Sequence, residues 1–394
     1  RVRVGPIASL LNGQPSASLA AVGITGTNGK TTTAHLLEAI FVANGWSTGV
    51  IGTLHGPRTT PEAPDLQRTL RGFVDDGAEA AVLEVSSHAL ALHRVDGTRF
   101  AAVVFTNLGH DHLDLHGSQE DYFRAKARLF SPDFASIGIV NVDDPYGQLL
   151  ADASESREEG REFRVVPTSR DQVADVEVDA MSHRYRWRGL DVVVPIGGHF
   201  NVDNSLAALT TAVELGVEPR VAVGALATVA PVPGRFQLVR SDVADRRGIT
   251  VVVDYAHTPD GLAELLASAR SVSRRELTVV FGCGGERDHP KRPEMGRIAA
   301  ELADHVVVTS DNPRREDPAA IVDDVVAGVE PEYRQRVVTH VDRRTAIRAA
   351  LESAAAGDVV VIAGKGHERI QEYADHNVDF DDAVVATDLL EELA

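Results

Sequence analysis

Residues 23–40 read GITGTNGKTTTAHLLEAI, and their types and spacing suit phosphate chemistry. Glycines at 26 and 29 let the backbone fold tightly, so that its N–H groups and the positive end of a following helix can face an anion. Gly26, Thr27, Asn28 and Gly29 form the loop, Lys30 adds a positive charge, and Thr31, followed by Thr32, offers a hydroxyl for Mg²⁺. The general phosphate-loop spacing asks for glycine at position 24, where this chain has Ile24, so the stretch fits a shorter GTNGKTT version. A plain strand-to-helix turn is the competing reading, and the Lys-Thr pair between a strand and a helix speaks against it.

Three further groups could do chemistry. In LEVSSH, Glu84 ends a buried strand, where a carboxylate is costly unless it serves a cation or a partner. Thr31 and Glu84 both fall at the carboxyl ends of strands, where open α/β sheets form their binding crevice, and such oxygens suit Mg²⁺. Capping of the next helix is the structural alternative for Glu84. In NLGHDHLDLH, His110, His112, Asp114 and His116 resemble the HxHxDH zinc motif of metallo-β-lactamase-like hydrolases, but Leu115 separates Asp114 from His116 and turns the last histidine away. A phosphate loop is also foreign to those hydrolases. Lys126, in DYFRAKARLF, sits on a predicted helix among Phe123, Leu129 and Phe130, which taken alone reads as a solvated helix lysine.

The elements that must position these groups alternate. AVGIT, AAVLEVS, AAVVFTN and IGIVNVD read as buried parallel strands, and TTTAHLLEAIFVANG and SQEDYFRAKARLF as helices, the first stopping at Gly45. Residues 160–198 read as an antiparallel meander, followed by the helical NVDNSLAALTTAVELG. Prolines and a glycine in APVPGRFQ mark a boundary, after which TVVVDYA, LTVVFG, HVVVTS, RVVTHV and DVVVIAG begin a second α/β series. Two or three units are expected of 394 residues: residues 1–20 as a remnant or linker, 21–233 as a central domain that carries the phosphate loop on a mostly parallel sheet, and 234–394 as a Rossmann-like C-terminal α/β domain. A formal charge of −19 argues against nucleic-acid or anionic-membrane surfaces. One cysteine, Cys283, excludes an intramolecular disulfide framework and a CxxC zinc site, and with no long apolar run the chain is expected to be cytoplasmic.

Taken in order, GTNGKTT, EVSSHAL, NLGHDHLD, YFRAKARLF, GHFNVDNSLAA, VPGRFQ, DYAHTPD, DNPRREDP and AGKGHE resemble the Mur ligase family across nearly the whole chain. The resemblance implies ATP-driven amide formation in peptidoglycan stem-peptide synthesis, nearest to the branch that adds a diamino acid to UDP-N-acetylmuramoyl-L-alanyl-D-glutamate. A held phosphate would pass to a carboxylate, giving an acyl phosphate that an amine attacks. It implies small-molecule substrates, ATP with Mg²⁺, and a monomer. Lys30 and Thr31 would hold the β- and γ-phosphates and one Mg²⁺, with Glu84 and His112 as magnesium ligands. Lys126 would match the family's carbamylated lysine (N6-carboxylysine). Asn204 and Arg235 would contact ATP, and Asp254 and His257 the nucleotide from the second domain. Thr59, Thr60, Ser86 and Arg94 would meet the muramoyl peptide.

DNPR is the specificity element that the resemblance implies. Asn312 and Arg314, with Asp311 in the same motif, would bind the distal amino-carboxylate end of meso-diaminopimelate, helped by Arg292, Gly364 and Glu368. An arginine fork suits a carboxylate that lysine lacks, which favours diaminopimelate. The family's UDP-gripping N-terminal domain is not represented in residues 1–20, so weak affinity for UDP itself is expected. A Mur-like ligase acting on an acid without UDP, and a nucleotide-binding regulator that has lost catalysis, remain as alternatives; the intact Lys30, Glu84, His112 and Lys126 speak against the regulator.

Overall fold

The computed structural model describes residues 1–111, 113–155, 163–286 and 288–394, which fall into two compact units. The first comprises Arg1–Glu177, His183–Pro195 and Phe200–Ala230; the second comprises Val178–Ser182, Ile196–His199 and Pro231–Ala394.

In the first unit, β1 (Ala20–Thr25), β2 (Thr48–Ile51), β3 (Ala80–Glu84), β4 (Ala102–Phe105), β5 (Ile137–Asn141) and β6 (Arg164–Thr168) form a sheet of order β2-β3-β1-β4-β5-β6. Every neighbour pairs parallel. Helices cover such sheets on both faces, which is why β1, β3 and β4 are continuous apolar runs and not alternating ones. Ile24 pairs with Glu84 on one side and Val104 on the other, so the loops after β1, β3 and β4 open at one edge. From β1 the chain leads away to β2, and from its neighbour β4 to β5 in the opposite direction; that reversal is where α/β sheets open a crevice.

A three-stranded sheet follows, made of β7 (Val173–Val178), β8 (His183–Trp187) and β9 (Leu190–Val194). On β8, His183, Tyr185 and Trp187 are buried while Arg184 and Arg186 are exposed, the period-two pattern of a sheet with one covered face.

The second unit has β10 (Gln237–Leu238), β11 (Thr250–Asp254), β12 (Leu277–Phe281), β13 (His305–Val308), β14 (Val337–Thr339) and β15 (Val359–Ala363) in the order β10-β11-β15-β12-β13-β14. Only the edge strand β10 runs antiparallel. A hairpin, β16 (Ile370–Glu372) and β17 (Asn377–Asp379), follows the strand end that carries AGKGHE.

The α/β class and the mostly parallel sheets agree with the sequence reading, and three local features differ. Residues 4–11 form a helix whose small face, Gly5, Ala8 and Ser9, is buried; a Cβ at Gly5 would lie 1.9 Å from the Asp96 carbonyl oxygen, so the approach needs glycine. β2 escaped notice because TGVI is short and contains Gly49, whose missing Cβ makes room for the Phe73 ring. β6, counted above within the meander, joins the main sheet, and its Pro167 is tolerated there because β6 is an edge strand.

Candidate functional site

The loop after β1 is built as an anion cradle. Gly26 has φ +152° and Gly29 φ +84°, and Gly29 caps the helix Lys30–Ala43, which ends before the left-handed Gly45. A Cβ at Gly26 would lie 1.8 Å from Thr106 Oγ1, and one at Gly29 2.3 Å from Asn204 Oδ1. Asn204, reached from the helix Phe200–Glu214, therefore lies directly against the phosphate loop. The loop is braced from the end of β4: Asn28 N donates to Asn107 Oδ1 at 2.9 Å, Thr27 N to the Asn107 carbonyl at 2.9 Å, and Thr106 Oγ1 to the Asn28 carbonyl at 2.6 Å. Lys30 Nζ folds over the loop, donating to the carbonyls of Gly26 at 2.8 Å and Thr27 at 2.7 Å. Thr32 is buried in the first turn of the helix.

Beside it Glu84 is 1 % exposed. Its carboxylate is satisfied by three donors: Thr31 Oγ1 to Oε2 at 2.9 Å, Thr53 N to Oε1 at 2.8 Å and Thr53 Oγ1 to Oε2 at 3.1 Å. A Cβ at Gly52 would come within 2.3 Å of Oε1, so glycine there leaves the carboxylate its space. The helix Ser87–Ala91 is capped by Ser86, whose Oγ accepts from Ala89 N at 3.2 Å, which removes the capping alternative for Glu84. Thr31 and Glu84 supply the hard oxygens that Mg²⁺ prefers, so the donors present fit that ion. His112, expected as a further ligand, lies outside the described residues, as do the side chains of Leu113 and Asp114. Among the described residues no group of three or more His, Cys, Asp or Glu comes together to hold a metal.

Lys126 is no solvated helix lysine. It is 1 % exposed, donates to the Gly26 carbonyl at 2.8 Å, and lies 4.6 Å from the centre of the Tyr122 ring. Burial, and after it the nearby Lys30 charge, push its pKa well below the ordinary lysine value, with Asp111 acting in the opposite direction. Tyr122 OH and Thr27 Oγ1 share a hydrogen bond of 3.0 Å, and Gly109 N donates to the same Thr27 Oγ1 at 2.9 Å. Thr27 thus ties the phosphate loop both to the Lys126 helix and to the loop bearing His110.

The residues expected near a peptide substrate gather at the end of β3. Thr60 Oγ1 donates to the Glu84 carbonyl at 2.8 Å and accepts from Ser86 N at 3.1 Å, and Thr59 Oγ1 meets Thr53 Oγ1 at 3.1 Å. Arg94 donates to the Thr60 carbonyl at 3.2 Å and pairs with Glu62 at 2.8 Å.

Within the second unit, VPGRFQ packs against AGKGHE: a Cβ at Gly234 would lie 2.1 Å from His367 N. Arg235 stacks 4.3 Å from the centre of the Tyr255 ring. Asp254 accepts from Phe236 N at 2.6 Å and Ala256 N at 2.8 Å; burial raises its pKa while Arg235 and the backbone donors oppose the rise. His257 Nδ1 lies 2.9 Å from the Tyr255 carbonyl. His367 is held down to about 4 by burial, then by Arg235 and Lys365, so its ring is neutral at neutral pH.

DNPR forms a turn beside the β16 hairpin. Arg314 adopts φ +52°, the left-handed region that side chains rarely take, and its Nε donates to Glu372 Oε2 at 2.8 Å and its Nη1 to the Gly285 carbonyl at 2.7 Å. Asn312 Nδ2 donates to Glu368 Oε2 at 2.8 Å. Asp311 is buried, which raises its pKa, and its Oδ2 would lie 2.6 Å from a Cβ at Gly364, which has φ +110°. Arg292 is 1 % exposed and ion-paired with Glu316 and Asp324, each at 2.9 Å. It braces the loop at Gly284 instead of offering a free guanidinium.

Sequence reasoning missed Gly52, Thr53, Thr106, Asn107, Tyr122, Lys365 and Glu372. The rule that strand carboxyl ends line the crevice could have found Thr106 and Asn107; the others depend on long-range folding.

Residues 24–212 match the Mur ligase middle domain and residues 234–366 the Mur ligase, glutamate ligase domain. The chain is 46 % identical over 396 residues to the UDP-N-acetylmuramoyl-L-alanyl-D-glutamate--2,6-diaminopimelate ligase of Gloeobacter violaceus, covering 95 % of this chain and 78 % of that protein. It is 40 % identical over 404 residues to the ligase of that name from Aquifex aeolicus, covering 99 % and 81 %. A solved structure of a ligase of that name aligns with TM-score 0.64 at 36 % identity, over 95 % of this chain and 79 % of that one. Folylpolyglutamate synthase of Mycobacterium tuberculosis, solved with ADP and AMPPCP, shares the fold at TM-score 0.71 and 20 % identity, over 100 % and 94 % of the two chains.

Proposed function

The chain belongs to the Mur ligase family, and from that premise we propose that it is an ATP-dependent amide ligase joining meso-diaminopimelate to the D-glutamyl carboxylate of UDP-N-acetylmuramoyl-L-alanyl-D-glutamate, a step of peptidoglycan synthesis. The observation that carries this reading is agreement over nearly the whole chain with the diaminopimelate ligases of Gloeobacter violaceus and Aquifex aeolicus.

The loop Gly26–Thr31 binds the triphosphate through backbone N–H groups, the helix start and Lys30, and Asn204 fixes the loop's outer wall. A carboxylate is a poor electrophile. Transfer of the γ-phosphoryl group to its oxygen releases ADP and forms an acyl phosphate; attack by the amine forms the amide, releases phosphate and gives up a proton. Thr31 and Glu84 would hold Mg²⁺, which supplies charge neutralisation for the phosphates. Burial favours the neutral form of Lys126, the form whose nitrogen can add to carbon dioxide with loss of one N–H proton; as a carbamate it would place an anion beside Lys30 and Gly26. Thr59, Thr60, Ser86 and Arg94 orient the peptide end of the acid, and the DNPR turn recognises the amine substrate.

The test is an ADP-release assay with Mg²⁺, meso-diaminopimelate and a panel of acids, with mass detection of the amide. The UDP-muramoyl dipeptide is expected to give a product heavier by one diaminopimelate residue. Turnover only with an acid lacking UDP would replace this reading.

A further inference from the structure

AGKGHE contains a lysine that the reaction as described does not use. Lys365 is fully buried, with 0 % of its side chain exposed. All three of its N–H groups are engaged: Nζ donates to Asn312 Oδ1 at 3.1 Å, Glu368 Oε2 at 3.2 Å and the Ile370 carbonyl at 2.5 Å. A buried ammonium is retained only where its partners repay desolvation, and here the partners are Asn312 of the DNPR turn, Glu368 of the AGKGHE loop and the start of β16.

The bond pattern divides the labour within that turn. Asn312 Oδ1 accepts from Lys365 Nζ and from Glu372 N at 3.0 Å, and its Nδ2 donates to Glu368. Asn312 is therefore nearly spent on protein partners. Glu368 Oε2 takes both Asn312 Nδ2 and Lys365 Nζ, whereas Oε1 makes no hydrogen bond among the described residues and the side chain is 31 % exposed. One carboxylate oxygen is clamped and the other is presented. Arg314, held through Nε and Nη1, keeps Nη2 for an anion on the same turn. A presented anionic oxygen and a presented guanidinium edge suit the two charges of an amino-acid zwitterion.

We propose that Lys365 is the positioning residue for amine-substrate recognition: it locks Glu368 and Asn312 so that Glu368 Oε1 meets the ammonium of the incoming diamino acid. The inference rests on the proposed function. Asn312 contributes mainly by holding Glu368, and the direct contact falls to Glu368.

The test compares Lys365→Met, Lys365→Gln, Glu368→Gln and the double variant Lys365→Met with Glu368→Gln, in the full chain. Lys365→Met is expected to raise KM for diaminopimelate about tenfold or more while KM for ATP and kcat at saturation move less than about threefold; in the Glu368→Gln background the same change adds less than about threefold, because the two act as one unit. Lys365→Gln, which can still donate to Asn312 and Glu368, should recover part of the loss, and it replaces Lys365→Met as the readout if that variant does not fold. Unchanged KM for diaminopimelate, or effects that multiply fully in the double variant, overturns the role of Lys365. A wild-type protein that ligates no diamino acid overturns the proposed function instead, so the two failures are distinct.

Discussion

Lys30 Nζ and Lys126 Nζ converge on the carbonyl oxygen of Gly26, each donating to it at 2.8 Å. Lys126 is buried, and two neighbouring ammoniums repel; both effects favour its neutral form. The loop carbonyl of Gly26 therefore brings together two lysine side chains, and burial together with the Lys30 charge favours the neutral form of Lys126.

A stability profile follows from that pair. The folded pKa of Lys126 is depressed, so between it and the ordinary value near 10.4 the unfolded chain binds more protons and stability rises with pH. In carbon-dioxide-free buffer, Lys126→Met is expected to melt higher than wild type at neutral pH, with the gap closing as pH approaches about 10. Thermal melts across that range test it, and a gap that widens with pH would contradict the burial argument.

Lys126→Ala is expected to be nearly inactive and partly rescued by bicarbonate or short carboxylates, since the group proposed to be lost is a carbamate anion. Full activity in Lys126→Arg would exclude a carbamate.

Lys30→Ala should lower ATP turnover roughly 100-fold or more with the fold intact, because the side chain donates to the loop carbonyls of Gly26 and Thr27 and is no part of the buried apolar core. ADP release together with circular dichroism reads both. Wild-type turnover in that variant would remove the phosphate-loop assignment.

Gly52→Ala probes Glu84 without touching it. The added Cβ would lie 2.3 Å from Oε1, so the carboxylate or β2 must shift, destabilising the unit by about 1–3 kcal/mol. The Mg²⁺ concentration for half-maximal activity should rise as well. An unchanged Mg²⁺ requirement would separate Glu84 from the metal.

Arg314→Ala should cut kcat/KM for meso-diaminopimelate by roughly 10- to 100-fold, the range for a hydrogen bond to a charged group of about 1.5–3 kcal/mol, with ATP binding retained. L-Lysine, which lacks the distal carboxylate, should be a poor substrate for wild type and little affected by the change. Equal use of the two amines by wild type would sink the specificity assignment.

The sequence by itself determined the α/β alternation and the phosphate loop, because glycine dihedral freedom, β-branched runs and a Lys-Thr pair at a helix start are local properties. It also placed Glu84 at the end of a buried strand, where a carboxylate is anomalous wherever that strand packs. Lys126 alone read as solvated; only the tertiary fold brings it under Gly26, a loop far away in the chain, and burial there reverses its chemistry. Tertiary structure likewise decided that Arg292 is consumed by Glu316 and Asp324 and that Lys365 holds Glu368. Such pairings depend on which loops the sheet order brings together, and no local pattern of residues encodes that.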